Sequence, residues 1–273
     1  MSTVSSRIDL ARQGHWRPLP FISRQWLRWS LNLALLAYLL LVYFSVEVNW
    51  GRVAEGLERG LDFIGSFMRP DFTSRGSEIA RGLVESLTMT FTSTVIGVAL
   101  SIPVGLGAAR NIAPLPVYLL CRSVIALSRT FQEIIIAIFF VAMVGFGPLA
   151  GVITLAFATI GFMAKLLAED IEDARRDPME AIRATGAGWW QWVNYSVQPQ
   201  VMPRLIGLSL YRLDINFRES AVIGIVGAGG IGATLNTSIN RYDYDTSAAI
   251  LLLIIIIVLA SEYFSGLVRR WVQ

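Results

Sequence analysis

Hydrophobic positions in this chain arrive in long unbroken blocks, not in the short alternation of half-buried strands or the single stripe of a surface helix. A bilayer core about 30 Å thick is crossed by roughly 20 apolar residues in helix. Helix is also the conformation that satisfies backbone N–H and C=O groups where there is no water. By that measure the pattern predicts six spans. The first covers Leu31 to Val46, the second about Ser86 to Ala108, the fourth about Leu149 to Leu167, the fifth about Leu205 to Val226 and the sixth about Ala248 to Val268. The third is irregular, because its clean run, Ile134 to Val144, is too short to cross and must borrow from a segment carrying Arg122, Arg129 and Glu133. A long, tilted or broken helix from about Pro116 is expected there. Gly145-Phe146-Gly147-Pro148 then forms an uncharged tight turn into span four. The first apolar run starts too deep in the chain for a signal peptide and lacks an A-x-A-like cleavage site, so it reads as an anchor.

Composition supports the same picture. Of 273 residues, 54% are hydrophobic and 16% charged, and the mean hydropathy is +0.56, whereas soluble domains carry about 25% charge. The fold class expected is all-α, a polytopic membrane protein of about six transmembrane helices. Residues 1–80 would form a cytoplasmic arm, the first span and an external segment, and residues 81–273 the core. Cys121 is the only cysteine and His15 the only histidine, which excludes intramolecular disulfides, Cys/His metal clusters and Ser/His/Asp triads. No metal and no cofactor is called for. A net charge of +3 leaves no electrostatic footprint for nucleic acid. Lys165, the only lysine, lies in Phe162-Met163-Ala164-Lys165-Leu166-Leu167, outside any Gly-x-x-x-x-Gly-Lys-Ser/Thr phosphate loop, so the chain does not hydrolyse ATP by that route. The Asn-x-Ser/Thr matches at Asn194 and Asn236 are too common to interpret.

Arginines set the orientation, since short cytoplasmic flanks are enriched in them. Arg7, Arg12, Arg17, Arg24 and Arg28 precede the first span, and Arg269 and Arg270 follow the last. Both termini are therefore expected in the cytoplasm, with residues 47–85 outside and residues 168–202 forming the longest internal loop. In that loop Asp177-Pro178-Met179-Glu180 reads as a helix start, with Asp177 as N-cap, Pro178 at the first helical position and Glu180 completing a capping box. Gly186 is a natural stop. Met179 and Ile182 share one side of this two-turn helix, which is too short to be stable without a partner. Trp189, Trp190 and Trp192 suggest a second short helix at headgroup level, ending before Pro199. Capping and termination alone account for Glu180 and Gly186, so a loop-structure reading stands beside a functional one.

Span five carries Arg212, Asp214, Asn216, Arg218 and Glu219. Counted from Pro203 at 1.5 Å per residue, they lie roughly 12 to 25 Å along the helix, near the bilayer centre. Each charge there costs about 2.5 to 3.5 kcal/mol on the mildest scale, so they are paired or face water. Asp214 and Arg218 are spaced i,i+4 and can neutralise each other, while Arg212, Asn216 and Glu219 fall on an adjoining face. Either the cluster braces helix packing or it lines a path for a polar, anionic solute. Gly227, Gly229 and Gly232 match G-x-G-x-x-G, but no βαβ context accompanies them, which removes the dinucleotide reading. Gly227, Gly229, Gly230 and Gly232 are better read as permitting close helix approach or an unwound, gate-like turn.

Two resemblances attach to these residues. Glu180-Ala181-Ile182-Arg183-Ala184-Thr185-Gly186, with Pro199 further on, resembles the EAA loop of permease subunits of bacterial ABC importers, although Ile182, Ser196 and Gln198 depart from that pattern. Arg212 to Gly232, with Gly145 to Gly151 and Lys165 to Glu172, resembles the permeases of phosphonate ABC importers, and the likeness runs from about residue 80 to the C-terminus. The resemblance implies a MetI-like permease fold in the bacterial inner membrane, embedded in lipid and paired with a second copy of itself. It further implies an ABC ATPase dimer docked on Glu180, Ala181, Gly186 and Pro199, and an extracytoplasmic phosphonate- or phosphite-binding protein. Such a subunit is not an enzyme. Two rivals use the same residues differently. A secondary transporter or channel would use the charged span without an ATPase. An integral-membrane enzyme acting on lipid or phosphate esters lacks a nucleophile–base pair or metal cluster here, and only carboxylates such as Asp214 and Glu219 speak for it.

Overall fold

A computed structural model describes residues 24–45 and 49–272. His15 and the arginines at 7, 12 and 17, which carry part of the orientation argument, lie outside the described residues, as does Val46. The described residues are helical throughout, joined by short turns, with no strand among them. The chain divides into two units, residues 1–59 and 60–273.

In the first unit, α1 (Gln25–Ser45) is apolar around its whole circumference and buries none of its side chains, as suits a helix solvated by lipid. It begins before Leu31, taking in Trp26 and Trp29, residues that favour the membrane interface. Most of α2 (Trp50–Ser66) also belongs to this unit. Val53, Leu57, Leu61 and Ile64 form an exposed apolar stripe at helical spacing. That spacing was available in the sequence, where the segment reads simply as an external stretch balanced in charge.

The second unit is built on two long helices packed along their length, α3 (Gly76–Ala108) and α6 (Pro148–Glu172). Lipid tails provide no hydrophobic drive between helices, so close backbone approach matters. Small residues meet large ones at this seam: Gly97 lies against Thr159, Gly105 against Leu167 and Gly151 against Met89. Ser86, Thr90, Ser93, Thr94 and Ser101 are buried on α3, and Thr94 and Thr90 satisfy a local bond by donation from Thr94 Oγ1 to the Thr90 carbonyl.

The third span is broken, as its sequence predicts: α4 (Leu115–Thr130) meets α5 (Glu133–Val144) at 97°. Phe131 and Gln132 are extended. The uncharged turn follows, with Gly145 and Gly147 at φ 91° and 135° and Pro148 opening α6. After α6 come α7 (Arg176–Ala184), α8 (Trp189–Trp192), a π-helical turn at Val193–Val197 and α9 (Gln198–Ile223). A second π-helical turn, Gly224–Ala228, leads to α10 (Gly230–Asn240), and α11 (Tyr244–Val272) closes the chain. Four helices are individually long and apolar enough to cross a membrane, and six spans result if each bent pair counts as one.

Span five departs from expectation at both ends. Helix runs from Trp189 to Val226 without a stop before Pro199, and past Gly227, whose backbone is not helical, the chain bends by 59° into α10. Pro199 sits in the first turn of α9. There the π turn already rearranges the backbone bonds that a proline would otherwise remove.

Candidate functional site

The charged residues of α9 meet α3 and α6 at a buried polar junction. Asn216 is fully buried; its Nδ2 donates to Thr94 Oγ1 at 2.8 Å and to Thr159 Oγ1 at 3.0 Å. Thr159 in turn donates to the Leu155 carbonyl of its own helix at 2.6 Å. Arg212, only 3% exposed, donates from Nε to Thr159 Oγ1 and from Nη2 to Glu219 Oε2, each at 3.1 Å. Its guanidinium carbon also lies 5.5 Å from the centre of the Phe162 ring. A buried cation with this many partners is held in one orientation, because any other leaves a charge in an apolar interior.

Asp214 and Arg218 form the i,i+4 pair their spacing predicts, Arg218 Nη2 donating to Asp214 Oδ2. The pair is lopsided. The Asp214 side chain is 9% exposed and that of Arg218 51%, and Asp214 Oδ1 is buried without a hydrogen-bond partner. Glu219 has a further neighbour that the sequence did not associate with it: Glu133, from the first turn of α5, lies close enough to it and to Arg212 for their charges to interact. So five sequence-predicted residues do come together, but as two ion pairs and an asparagine brace on one helix. Thr94, Thr159 and Glu133 complete the group from three other helices. Nothing in the local sequence marks these partners, since threonines are common in membrane helices and the pairing depends on which helix packs where.

The glycine segment sits where α9 turns into α10. Gly227, Gly229 and Gly230 all have positive φ, at 98°, 81° and 73°. Gly229 is the break itself, with the Pro148 nitrogen 2.9 Å from where a side chain would begin. A residue with a Cβ would be strained there by both conformation and space. Gly232 faces the Ala221 backbone so closely that a methyl group would overlap its carbonyl oxygen. Gly147 N–H donates to the Gly227 carbonyl at 3.0 Å, and Ile231 N–H to Ser86 Oγ at 2.9 Å. These contacts tie the break to α3 and to the turn before α6.

The segment between α6 and α9 holds α7, with Glu180, Ala181, Gly186 and Pro199 all exposed. The helix starts at Arg176 after Arg175, not at Pro178 after Asp177, so the expected capping box does not form. Gln200 provides the physical reason: its Oε1 accepts from the Arg175 N–H at 2.9 Å, drawing the helix start earlier. Pro178 still falls within the first turn, where amide hydrogens have no intrahelical partner. The stop is where the sequence puts it, with Gly186 at φ 79° and its N–H donating to the Arg183 carbonyl at 3.0 Å. Trp192 differs from expectation. It is buried at 3% exposure, its indole Nε1 donating to the Met179 carbonyl at 2.9 Å. Arg183 lies 4.1 Å from the centre of its ring. Trp189 and Trp190 are exposed. One tryptophan of the three thus serves as the partner that the short helix needed.

The family described as "Binding-protein-dependent transport system inner membrane component" matches residues 101–273. The "Phosphate-import permease protein PhnE" of Mycolicibacterium smegmatis is 43% identical over 210 residues, covering 76% of this chain and 40% of that protein. The chain therefore spans less than half the length of that relative. The "Phosphite transport system permease protein PtxC" of Stutzerimonas stutzeri is 42% identical over 216 residues, covering 79% of this chain and 78% of that one. Among solved structures, an inward-facing form of the MetNI methionine ABC transporter aligns with a TM-score of 0.64 at 25% identity, covering 74% of this chain and 100% of that chain.

Proposed function

The chain belongs to the family of binding-protein-dependent transport system inner membrane components, and from that premise we propose that it is the permease subunit of an ATP-driven importer for a phosphorus oxyanion, phosphonate or phosphite. The observation that carries this reading is a charge cluster in the middle of an apolar span, on the same helical stretch as Trp192, whose indole bonds the backbone of the short exposed helix α7.

In this reading residues 81–273 are the permease core, and two copies enclose a path between them. Arg212, Asp214, Arg218 and Glu219 border the path or hold the helices around it, and Asn216 braces them from behind. An external binding protein delivers solute. ATPase subunits on the cytoplasmic side grip α7 through Glu180, Ala181 and Gly186, with Pro199 at the base of α9, and both termini share that side. Gly227, Gly229, Gly230 and Gly232 supply the bend at the opposite end. Alternating access around polar groups at mid-membrane is a general solution for moving a charged solute through lipid.

The test is uptake of labelled aminoethylphosphonate, phosphite and phosphate by cells with and without this gene, each repeated after ATP depletion. Loss of one ATP-dependent uptake on deletion is the expected result, and it names the solute. Uptake that persists after ATP depletion and follows the membrane potential would replace the importer with a secondary transporter.

A further inference from the structure

The third span carries two charges, Arg129 and Glu133, on either side of its break, and the cluster on α9 draws in only the second. A charge within an apolar span is costly unless it is paired or meets water or a polar ligand, and Arg129 is exposed. Neighbouring cations are paired: Arg122 with Glu172 and Arg212 with Glu219. Arg129 has no ion-pair partner among the described residues. The 97° bend opens a cavity of about 360 Å³, lined chiefly by polar groups, where Ser128, Arg129, Gln132 and Glu133 face Phe162 of α6 and Arg212 of α9. A second cavity at the same break, lined by Leu127, Ile135 and Phe139, is wholly apolar, so polarity is specific to the side that meets α9. Arg212 contributes more than a wall. Its Nε and Nη2 are engaged, and Nη1 has no hydrogen-bond partner among the described residues.

We propose that this cavity is an oxyanion subsite on the translocation path, with Arg129 as its free cation, Arg212 Nη1 as a second donor, and Glu133 as the group that keeps occupancy brief. The inference deepens the importer reading above and rests on it. A guanidinium presents donors in a planar fork that matches two oxygens of a tetrahedral phosphorus oxyanion. A cavity of this size lies within the range of about 300 to 1,000 Å³ typical of small-molecule sites. Conduction further requires a site attractive enough to enter and weak enough to leave. Glu133 beside Glu219 provides the opposing charge, so two arginines do not trap the solute. A simpler role for Arg129 is complementing the carbonyl end of α4, in whose last turn it lies. That role needs a positive charge but no access from the path.

The two are separated by chemical rescue in the full chain, expressed with its partner subunits in a C121A background. Arg129→Cys is expected to lower oxyanion uptake at least tenfold at unchanged membrane levels. Aminoethyl methanethiosulfonate, which restores a cation, is expected to recover a third or more of it, and sulfonatoethyl methanethiosulfonate, which adds an anion, none. The transported oxyanion is expected to slow modification of the introduced thiol during turnover. Undiminished uptake in Arg129→Cys, equal responses to the two reagents, or modification unaffected by solute would each overturn the subsite. Absence of oxyanion uptake by the unmodified chain would instead overturn the solute class itself.

Discussion

Asp214 and Arg218 make the same ion pair but stand to lose different things. Removing Arg218 strands a buried carboxylate, one of whose oxygens already lacks a partner. Removing both charges strands nothing. If the pair is structural, Arg218→Gln should cost about 1 to 3 kcal/mol, less than the 3 to 5 of a fully buried pair because half of Arg218 is open, and Arg218→Gln with Asp214→Asn should recover most of it. Thermal unfolding in detergent measures the stability, and uptake measures the function. Equal, complete loss of uptake in both variants with stability restored in the double would assign the pair to the path. At this scale the i,i+4 pair and the positive-φ glycines were legible, because each is a relation within a few residues of chain. The bonds from Asn216 to Thr94 and Thr159 were not, since they join residues 122 and 57 positions apart. Each such interhelical bond is worth about 0.6 to 2 kcal/mol in a membrane, too little to leave a compositional mark.

Among the elements, α7 is the one whose stability comes from elsewhere. Nine residues do not sustain a helix in water; Met179 inserts into the core beneath it and Trp192 bonds its backbone. Its outward face, Glu180 included, is left free for a partner. Glu180→Arg should therefore leave membrane insertion and the α7 fold intact while cutting uptake at least tenfold, with ATP hydrolysis by the assembled complex persisting. Normal uptake in that variant would remove α7 from the coupling role. The loop shows how local signals compete. Gly186 ended the helix where its conformational freedom predicts, but Asp177 lost the cap position to a contact from Gln200, a residue of the next long helix. The aromatic trio was read by its surface preference, whereas burial beneath α7 decided the fate of Trp192. The amphipathic α2 went unread for the opposite reason: its arginines and acids nearly offset each other and its apolar stripe is short.

For the molecule as a whole, six spans with both termini inside remains a statement about sides, and it has a direct test. In a C121A background, Met68→Cys should react with an impermeant maleimide added to intact cells, and Asp177→Cys only after permeabilisation; the reverse pattern would invert the topology. Span number was legible because apolar length is a global property of the sequence. The bend at Gly229 was foreseen as a turn, yet the close packing of α10 on the end of α9 required the Gly232–Ala221 contact to be seen. The helical stretch from Trp189 to Val226 has one further consequence. Trp192, fastened under α7, and Arg212, in the buried cluster, are joined by about 30 Å of helix at 1.5 Å per residue. An uninterrupted rod behaves as a lever. A tilt of about 10° about one end would carry the other sideways by about 5 Å over that length, enough to move a guanidinium from one set of oxygens to another; the five residues at Val193–Val197 are where that rod departs from α-helical bonding.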